Sequence, residues 1–257
     1  MNLLKNTKSA ALHASLIHLL ISALVISVIA GFIFFLWFPY PYFELSGGGK
    51  LFLILIIVDV ICGPILTLVI FNPKKSKKEL TLDLSFIAFI QCVALSYGIY
   101  ILSQARPVYI AFETDRFRVV SEAEIYKKQM KPGVNNLHSL SWIGPKIIGI
   151  RAPVDGNEVL QSLELSLNGI DPSMRPDWWQ PYEKSKLNVL KIAHDLDLLK
   201  NKQKNNINLI DDAIKKTKIN EKNIKWLPVT SGYTREWVAL IRVDTAEIIA
   251  FIPIDGF

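Results

Sequence analysis

Cysteine and histidine are scarce in this sequence, and where they fall excludes a good deal of chemistry. The two cysteines, Cys62 and Cys92, both lie in long apolar runs, and of four histidines only His138 and His194 come after residue 106. A polar half without cysteine builds no disulfide framework, and two histidines with no thiol beside them supply neither a zinc ligand set nor thiol catalysis. A phosphate-binding glycine loop of Walker type and a nucleophile elbow are missing too. Carboxylates are numerous but scattered, which is the pattern of a solvated face. No metal, cofactor or catalytic residue is expected, and a non-enzymatic protein is the favoured reading.

Charge is the second scarcity, and it is local. Residues 1–105 hold seven Lys and Arg against four Asp and Glu, whereas residues 106–257 hold 22 against 19. The net charge of +6 is thus shared evenly between an apolar half and an ordinary polar one. It forms no basic stripe, and nucleic acid is not expected as a partner.

What the first half has instead is three apolar runs, at about 16–38, 51–71 and 84–102. At ~1.5 Å per residue, each is long enough as a helix to cross a hydrocarbon core of roughly 30 Å. The loop between the second and third runs carries Lys74, Lys75, Lys77 and Lys78. Lysines are enriched on the cytoplasmic side of a membrane, and Lys5 and Lys8 before the first run give the same orientation independently. The first run ends in aromatics and prolines with no small-residue cleavage site, so an uncleaved helix is expected, with Trp37, Tyr40 and Tyr42 at the outer interface. The expected organisation is a multi-pass membrane domain over 1–105, its N-terminus cytoplasmic, and an exported domain over 106–257, which in a diderm bacterium is periplasmic.

Asp59 is the one ionisable residue well inside a run, and an acid at that depth costs about 2.5–3.5 kcal/mol on insertion scales. It should face protein. Pro64 lacks an N–H, which would leave the Val60 carbonyl without a helical donor and favour a kink. Asp59, Gly63 and Thr67 share a helix face beside Pro64. Two readings stand: a polar docking point or proton-sensitive site, or an acid, protonated or hydrogen-bonded, that holds the bundle together. Small residues recur at four-residue spacing (Ala23, Ser27, Gly31; Gly63, Thr67; Ala88, Cys92, Ser96), which suits close helix packing in lipid, within the bundle or against a partner helix. Gln91 is an expected interhelical hydrogen-bond partner.

Beyond residue 103 the pattern turns to an α+β domain. A hairpin is predicted from 107–112 and 116–121, with Arg116 and Arg118 on one face as a salt-bridged surface. Ser121 with Glu124 has capping-box spacing and predicts a short helix towards Gln129; residues 131–145 read as loop and 146–151 as a strand. Asp155 with Glu158 caps a helix whose Val159, Leu160, Leu163 and Leu167 share a side. Further helices are predicted over 183–200 and 208–217. Strands follow at 224–230, 236–244 and 247–253, the last two turning at Thr245-Ala246. The fold class is thus a three-helix transmembrane bundle followed by a soluble mixed α+β domain.

The loop over 171–183 concentrates Arg175, Trp178, Trp179 and Tyr182 among three prolines. Such residues are enriched at binding hot spots, and prolines reduce the ordering cost. The alternatives are that the tryptophans fill the domain's own core or lie on the membrane.

The run Asp59-Val60-Ile61-Cys62-Gly63-Pro64-Ile65-Leu66-Thr67, the run Arg106-Pro107-Val108-Tyr109-Ile110-Ala111-Phe112-Glu113-Thr114-Asp115-Arg116-Phe117 and the run Asp177-Trp178-Trp179-Gln180-Pro181 resemble the TfpX/TfpZ-type type IV pilin accessory proteins. The resemblance implies an inner-membrane factor that assists assembly or surface display of its cognate type IV pilin. Its partners would be that pilin, other pilus assembly proteins and membrane lipid, and it carries over no catalytic residue. Asp59, Gly63, Pro64, Thr67, Arg175, Trp178, Trp179 and Tyr182 are the candidate partner-binding residues. The competing readings are a membrane-anchored periplasmic sensor or interaction module, and a proton-linked transport component using Asp59.

Overall fold

The computed structural model describes residues 2–129, 137 and 139–257. His138 and most of the loop predicted over 131–145 lie outside the described residues. The chain divides into two compact units, one of residues 1–37 and 48–104, the other of residues 38–47 and 105–257.

Helix α1 (Asn2–Phe32) runs on as a π-helical stretch, Ile33–Trp37. A short α2 (Tyr42–Leu45) follows, then α3 (Gly48–Ile56), a π-helical stretch Ile57–Cys62, α4 (Gly63–Ile70) and α5 (Lys77–Ala105). Among the described residues, three segments are long and apolar enough to cross a membrane, Lys8–Trp37, Gly48–Ile70 and Lys77–Ala105. They overrun the apolar runs because helix ends are set by caps rather than by hydropathy. At the start of α5, Ser76 N donates to Glu79 Oε2 at 2.9 Å and Glu79 N to Ser76 Oγ at 3.3 Å, a reciprocal cap that draws the lysines into the first turn.

The second unit is built on a mixed eight-stranded sheet. Its strands are β1 (Pro107–Glu113), β2 (Arg116–Ser121), β3 (Lys146–Ile150), β4 (Trp179–Pro181), β5 (His194–Asp195), β6 (Ile224–Thr230), β7 (Trp237–Arg242) and β8 (Ile248–Ile252). The order is β4-β3-β1-β2-β6-β7-β8, with β5 also on β6; β1 pairs β3 and β2 pairs β6 in parallel, and the other pairs are antiparallel. Both faces are covered, which is why β1 and β7 read as continuous apolar runs. One face buries Ile110, Phe112, Phe117, Leu227 and Ala239; the other buries Trp226, Val238 and Leu240 under Leu196, Leu199, Ile210 and Ile214. A bulge between Pro107 and Tyr109 sets two residues of β1 against one of β2, so Val108 and Tyr109 both enter a third cluster with Ile148 and Trp179.

Helix α6 (Gly156–Leu167) starts where expected, with Asp155 accepting from Glu158 N. Its apolar side is on the surface, Val159, Leu160, Leu163 and Leu167 being 47–80% exposed. The predicted helix over 183–200 is divided into α7 (Lys186–Ile192), β5 and α8 (Leu196–Lys202). The cause is tertiary: His194 and Asp195 pair with Trp226 and Lys225, and Trp226 Nε1 donates to the Asp195 carbonyl at 3.1 Å. The break lets Val189 and Ala193 pack on one face of the sheet while Leu196 and Leu199 pack on the other. The helix after Ser121 shortens to two 3₁₀ turns, Glu122–Glu124 and Lys127–Gln129, although its capping box is present. Helix α9 (Ile207–Thr217) and the turn at Thr245-Ala246 match the sequence reading.

The segment joining the first two spans belongs to the second unit. Phe38 is 1% and Leu45 0% exposed, and Leu45 packs in the cluster of Phe117, Leu227 and Trp237. Ser231 Oγ donates to the Leu45 carbonyl, and the Tyr42 ring meets Phe251 at 5.7 Å. Replacing Leu45 with Ala in the full chain should cost about 2–4 kcal/mol of the second unit's stability. Leu187→Ala, at a residue 84% exposed, should stay within about 0.5 kcal/mol in the same denaturation series.

Candidate functional site

In the membrane unit the structure draws Asp59, Gly63, Pro64 and Thr67 to the bundle interior, all buried. In an α-helix the carbonyl facing Pro64 would be that of Val60. Over Ile57–Cys62 the helix is π-wound, and in that register a carbonyl looks five residues ahead, so the orphan moves to Asp59. There Gln91 Nε2 of α5 donates to the Asp59 carbonyl at 3.1 Å. A Cβ on Gly63 would stand 1.9 Å from Gln91 Nε2, so only glycine leaves that donor its place. From α1, Ser15 Oγ donates to the Pro64 carbonyl at 2.8 Å, and His18 Nδ1 lies 2.5 Å from Thr67 Oγ1. This is how lipid-embedded helices resatisfy a backbone broken by proline. The Asp59 carboxyl opens on a cavity of about 140 Å³ lined by Ser22, Ile26, Ala88, Gln91 and Cys92, and its Oδ2 has no hydrogen-bond partner among the described residues.

Only one of the small-residue stripes is an interior seam. Gly63 and Thr67 are buried, Ala23 and Gly31 half-buried, and Ser27, Ala88, Cys92 and Ser96 exposed. Close approach to α5 is made at Gly98, where an added Cβ would meet Leu55 Cδ1 at 2.3 Å.

The aromatic segment is buried, Arg175, Trp178, Trp179 and Tyr182 being 1–6% exposed. Arg175 and Trp178 come together: the Arg175 and Arg151 guanidiniums lie 4.4 and 4.8 Å from the Trp178 ring centre, and Arg175 Nη2 donates to Ser162 Oγ of α6 at 2.6 Å. Burial lowers the pKa of the Arg175 guanidinium, against the pull of nearby carboxylates such as Asp177. Trp179 turns elsewhere, its ring 4.6 Å from that of Tyr109 and its Nε1 donating to the Ser173 carbonyl at 2.8 Å. Tyr182 crosses to the far face, where its hydroxyl donates to the Ala246 carbonyl at 2.5 Å. The eight predicted residues therefore fall into separate sets.

Sequence reading missed a polar cleft of about 810 Å³ between the β1–β2 turn and the β6–β7 loop. Glu113, Asp115, Arg116, Arg118, Asp171 and Arg235 line it. Arg118 bridges Asp171 and Glu124, and Glu113 accepts from Ser173 N at 3.2 Å and Ser173 Oγ at 3.4 Å. Burial, opposed by the Ser173 bonds, raises the Glu113 carboxyl above its ordinary 4.5. The alternation of Arg116 and Arg118 signalled a salt-bridged face; the distant Asp171 that completes it left no local signal. Among the described residues no cluster of His, Cys, Asp or Glu forms a metal-binding group.

Two outcomes follow from this geometry. Gln91→Leu should cost about 0.6–1.7 kcal/mol in detergent denaturation. In a Pro64→Leu background, which restores the missing N–H, it should cost measurably less, the non-additivity reporting the shared carbonyl. For Glu113, the folded chain keeps its proton to higher pH than the unfolded chain, so stability falls as pH rises from 4.5 through the raised folded value. Glu113→Gln should flatten that fall in a Tm-against-pH series.

The family model for the fimbrial assembly protein FimB matches residues 6–47. Over 245 residues the chain is 32% identical to a fimbrial assembly protein of Dichelobacter nodosus serogroup E1, covering 94% of both sequences, and the serogroup I protein gives the same figures. The protein of serogroups C1 and C2 is 46% identical over 109 residues, which cover 42% of this chain and 83% of that one. No solved structure matches. With similarity running over nearly the whole length of two relatives, the chain belongs to the fimbrial assembly protein FimB family.

Proposed function

We propose that this chain is a non-enzymatic inner-membrane factor of the TfpX/TfpZ type, which assists assembly or surface display of a cognate type IV pilin through transient contact. The observation that carries the reading is the 94% coverage of relatives described as fimbrial assembly proteins. Three helices long and apolar enough to span a bilayer support the membrane location. The lysines at 74–78 and at positions 5 and 8 support a cytoplasmic loop and N-terminus, with the second unit periplasmic.

The interior seam at Gly63 and Thr67 is occupied within the bundle, so the surface left for an apolar pilin helix is the exposed small face of α5 at Ala88, Cys92 and Ser96. Small side chains let backbones approach closely in lipid, where packing rather than water exclusion drives association. In the periplasm, the Arg116–Asp115 and Arg118–Asp171 pairs of the cleft suit a contact that forms and releases with little net gain, since exposed ion pairs contribute about 0–1 kcal/mol each.

A photo-crosslinking residue at Ala88 or Ser96 should capture pilin in cells, while one at buried Thr67 should not. Deleting the gene should lower the number of surface pili, and alkaline phosphatase fused after Phe257 should be active. Unchanged pili together with no pilin adduct at either α5 position would refute the proposal, and an inactive phosphatase fusion would refute its orientation.

A further inference from the structure

We propose that the loop tip Trp142-Ile143 is a membrane-interface anchor, inserted at the boundary between headgroups and acyl chains of the bilayer that the same chain crosses. The inference rests on the membrane reading and goes beyond it by assigning lipid as the partner of one specific surface.

Trp142 is 63% and Ile143 72% exposed, and they are consecutive at the tip of a tight turn. A single exposed apolar residue is ordinary, but turn tips are normally built from small polar residues, and an adjacent exposed Trp–Ile pair departs from that rule. The turn is held from below. Ser141 is 8% exposed and its Oγ donates to the Ile143 carbonyl at 3.1 Å, Arg106 Nε donates to the Ser141 carbonyl at 3.4 Å, and Gly144 takes a left-handed φ of +58°. The apolar pair is thus presented outward on a fixed base.

Chain continuity sets where that base lies. The Arg106 guanidinium, 2% exposed and ion-paired with Glu122, lies 4.2 Å from the Trp142 ring centre, and Arg106 directly follows Ala105, the last residue of the third candidate span. A Cβ on Gly144 would stand 3.3 Å from Pro39 Cγ, and Pro39 is two residues beyond Trp37, the end of the first candidate span. One turn therefore lies beside Arg106 and Pro39, which follow the ends of those spans in sequence by one and two residues. Tyr40, beside Pro39, is 77% exposed and adds a further amphipathic ring. Indole and phenol rings concentrate at the membrane–water boundary because they bury a ring while keeping a polar edge wet.

The test uses the full chain with Cys62→Ala and Cys92→Ala, a single cysteine carrying an environment-sensitive fluorophore, and vesicles of phosphatidylcholine and phosphatidylglycerol spin-labelled near the headgroup. A label at Ile143→Cys should be blue-shifted and quenched at least about twofold more than one at Leu187→Cys, and Trp142→Ser should reduce that quenching. A label at Val25→Cys, inside the first span, should be quenched throughout. Quenching at 143 no greater than at 187, with the Val25 label quenched, overturns the anchor and leaves the membrane reading standing. An unquenched Val25 label overturns both. A label at 143 shielded from aqueous iodide yet untouched by the spin-labelled lipid would mean that protein covers the tip, and the lipid assignment would be wrong.

Discussion

The structure depends on ten residues that a hydropathy reading treats as a mere connection. Phe38–Gly47 lies between two candidate membrane-spanning segments and yet forms part of the second unit, with Leu45 sealed in its core and its carbonyl held by Ser231. Leu45 and Ser231 are 186 residues apart in sequence. Closing a featureless loop of that length costs about 5 kcal/mol. Burying Phe38 and Leu45 at about 1.5–3 kcal/mol each is of the size needed to offset it. The periplasmic fold as proposed is therefore discontinuous in sequence: its core is completed only when β6 and the residues after it reach a segment made before the second span. The FimB family match, residues 6–47, covers the first span and this inserted segment together.

A second constraint acts where water is absent. Hydrocarbon offers no donor to a carbonyl that proline has orphaned, so the chain must supply one from another helix. The π-wound turn before Gly63 brings the orphan to Asp59, Gln91 provides the donor, and the absence of a side chain on Gly63 leaves room for it. Asp59, Gly63, Pro64 and Gln91 thus form one backbone-satisfying device. Its polar atoms are spent inside the bundle, apart from the Asp59 carboxyl on its small cavity. That division explains why a stripe of small residues on α5 is left facing outward while the seam at Gly63 is filled.

Much of this was legible in the sequence because the signals were local. The three long apolar helices were carried by length and hydropathy, the caps at Ser121 and Asp155 by residue type and spacing, and the β1–β2 hairpin by alternation around Glu113-Thr114-Asp115. What escaped was carried by partners far along the chain. The helical period over 183–200 is real in Val189, Ile192, Leu196 and Leu199, but pairing of His194-Asp195 with β6 overrides it. The three sequence stripes looked alike, and only the seating of Gln91 against Gly63 singles one out. The Arg175–Tyr182 segment was visible as unusual and core filling was among its readings, but the choice between core and binding surface was not legible, since β4 and the cap of Tyr182 on Ala246 depend on strands on either side of it.

The tryptophans show why composition alone misplaces a binding surface. Trp178 and Trp142 both stack with arginine, but Trp178 has Arg175 and Arg151 over it and α6 beside it, whereas Trp142 has Arg106 beneath it and 63% of its surface open. An indole stacked with the buried Arg175 guanidinium contributes to the fold, and exposing it would leave Arg175 without its cover. An indole stacked on Arg106 but open over most of its surface still presents apolar area to a medium that rewards it. The residues most suggestive of a hot spot are thus committed to holding the second unit together, and the cleft it offers outward carries the Arg116–Asp115 and Arg118–Asp171 pairs. A factor that must release its client is better served by such a surface than by a desolvated aromatic socket, because the free energy gained on contact stays small.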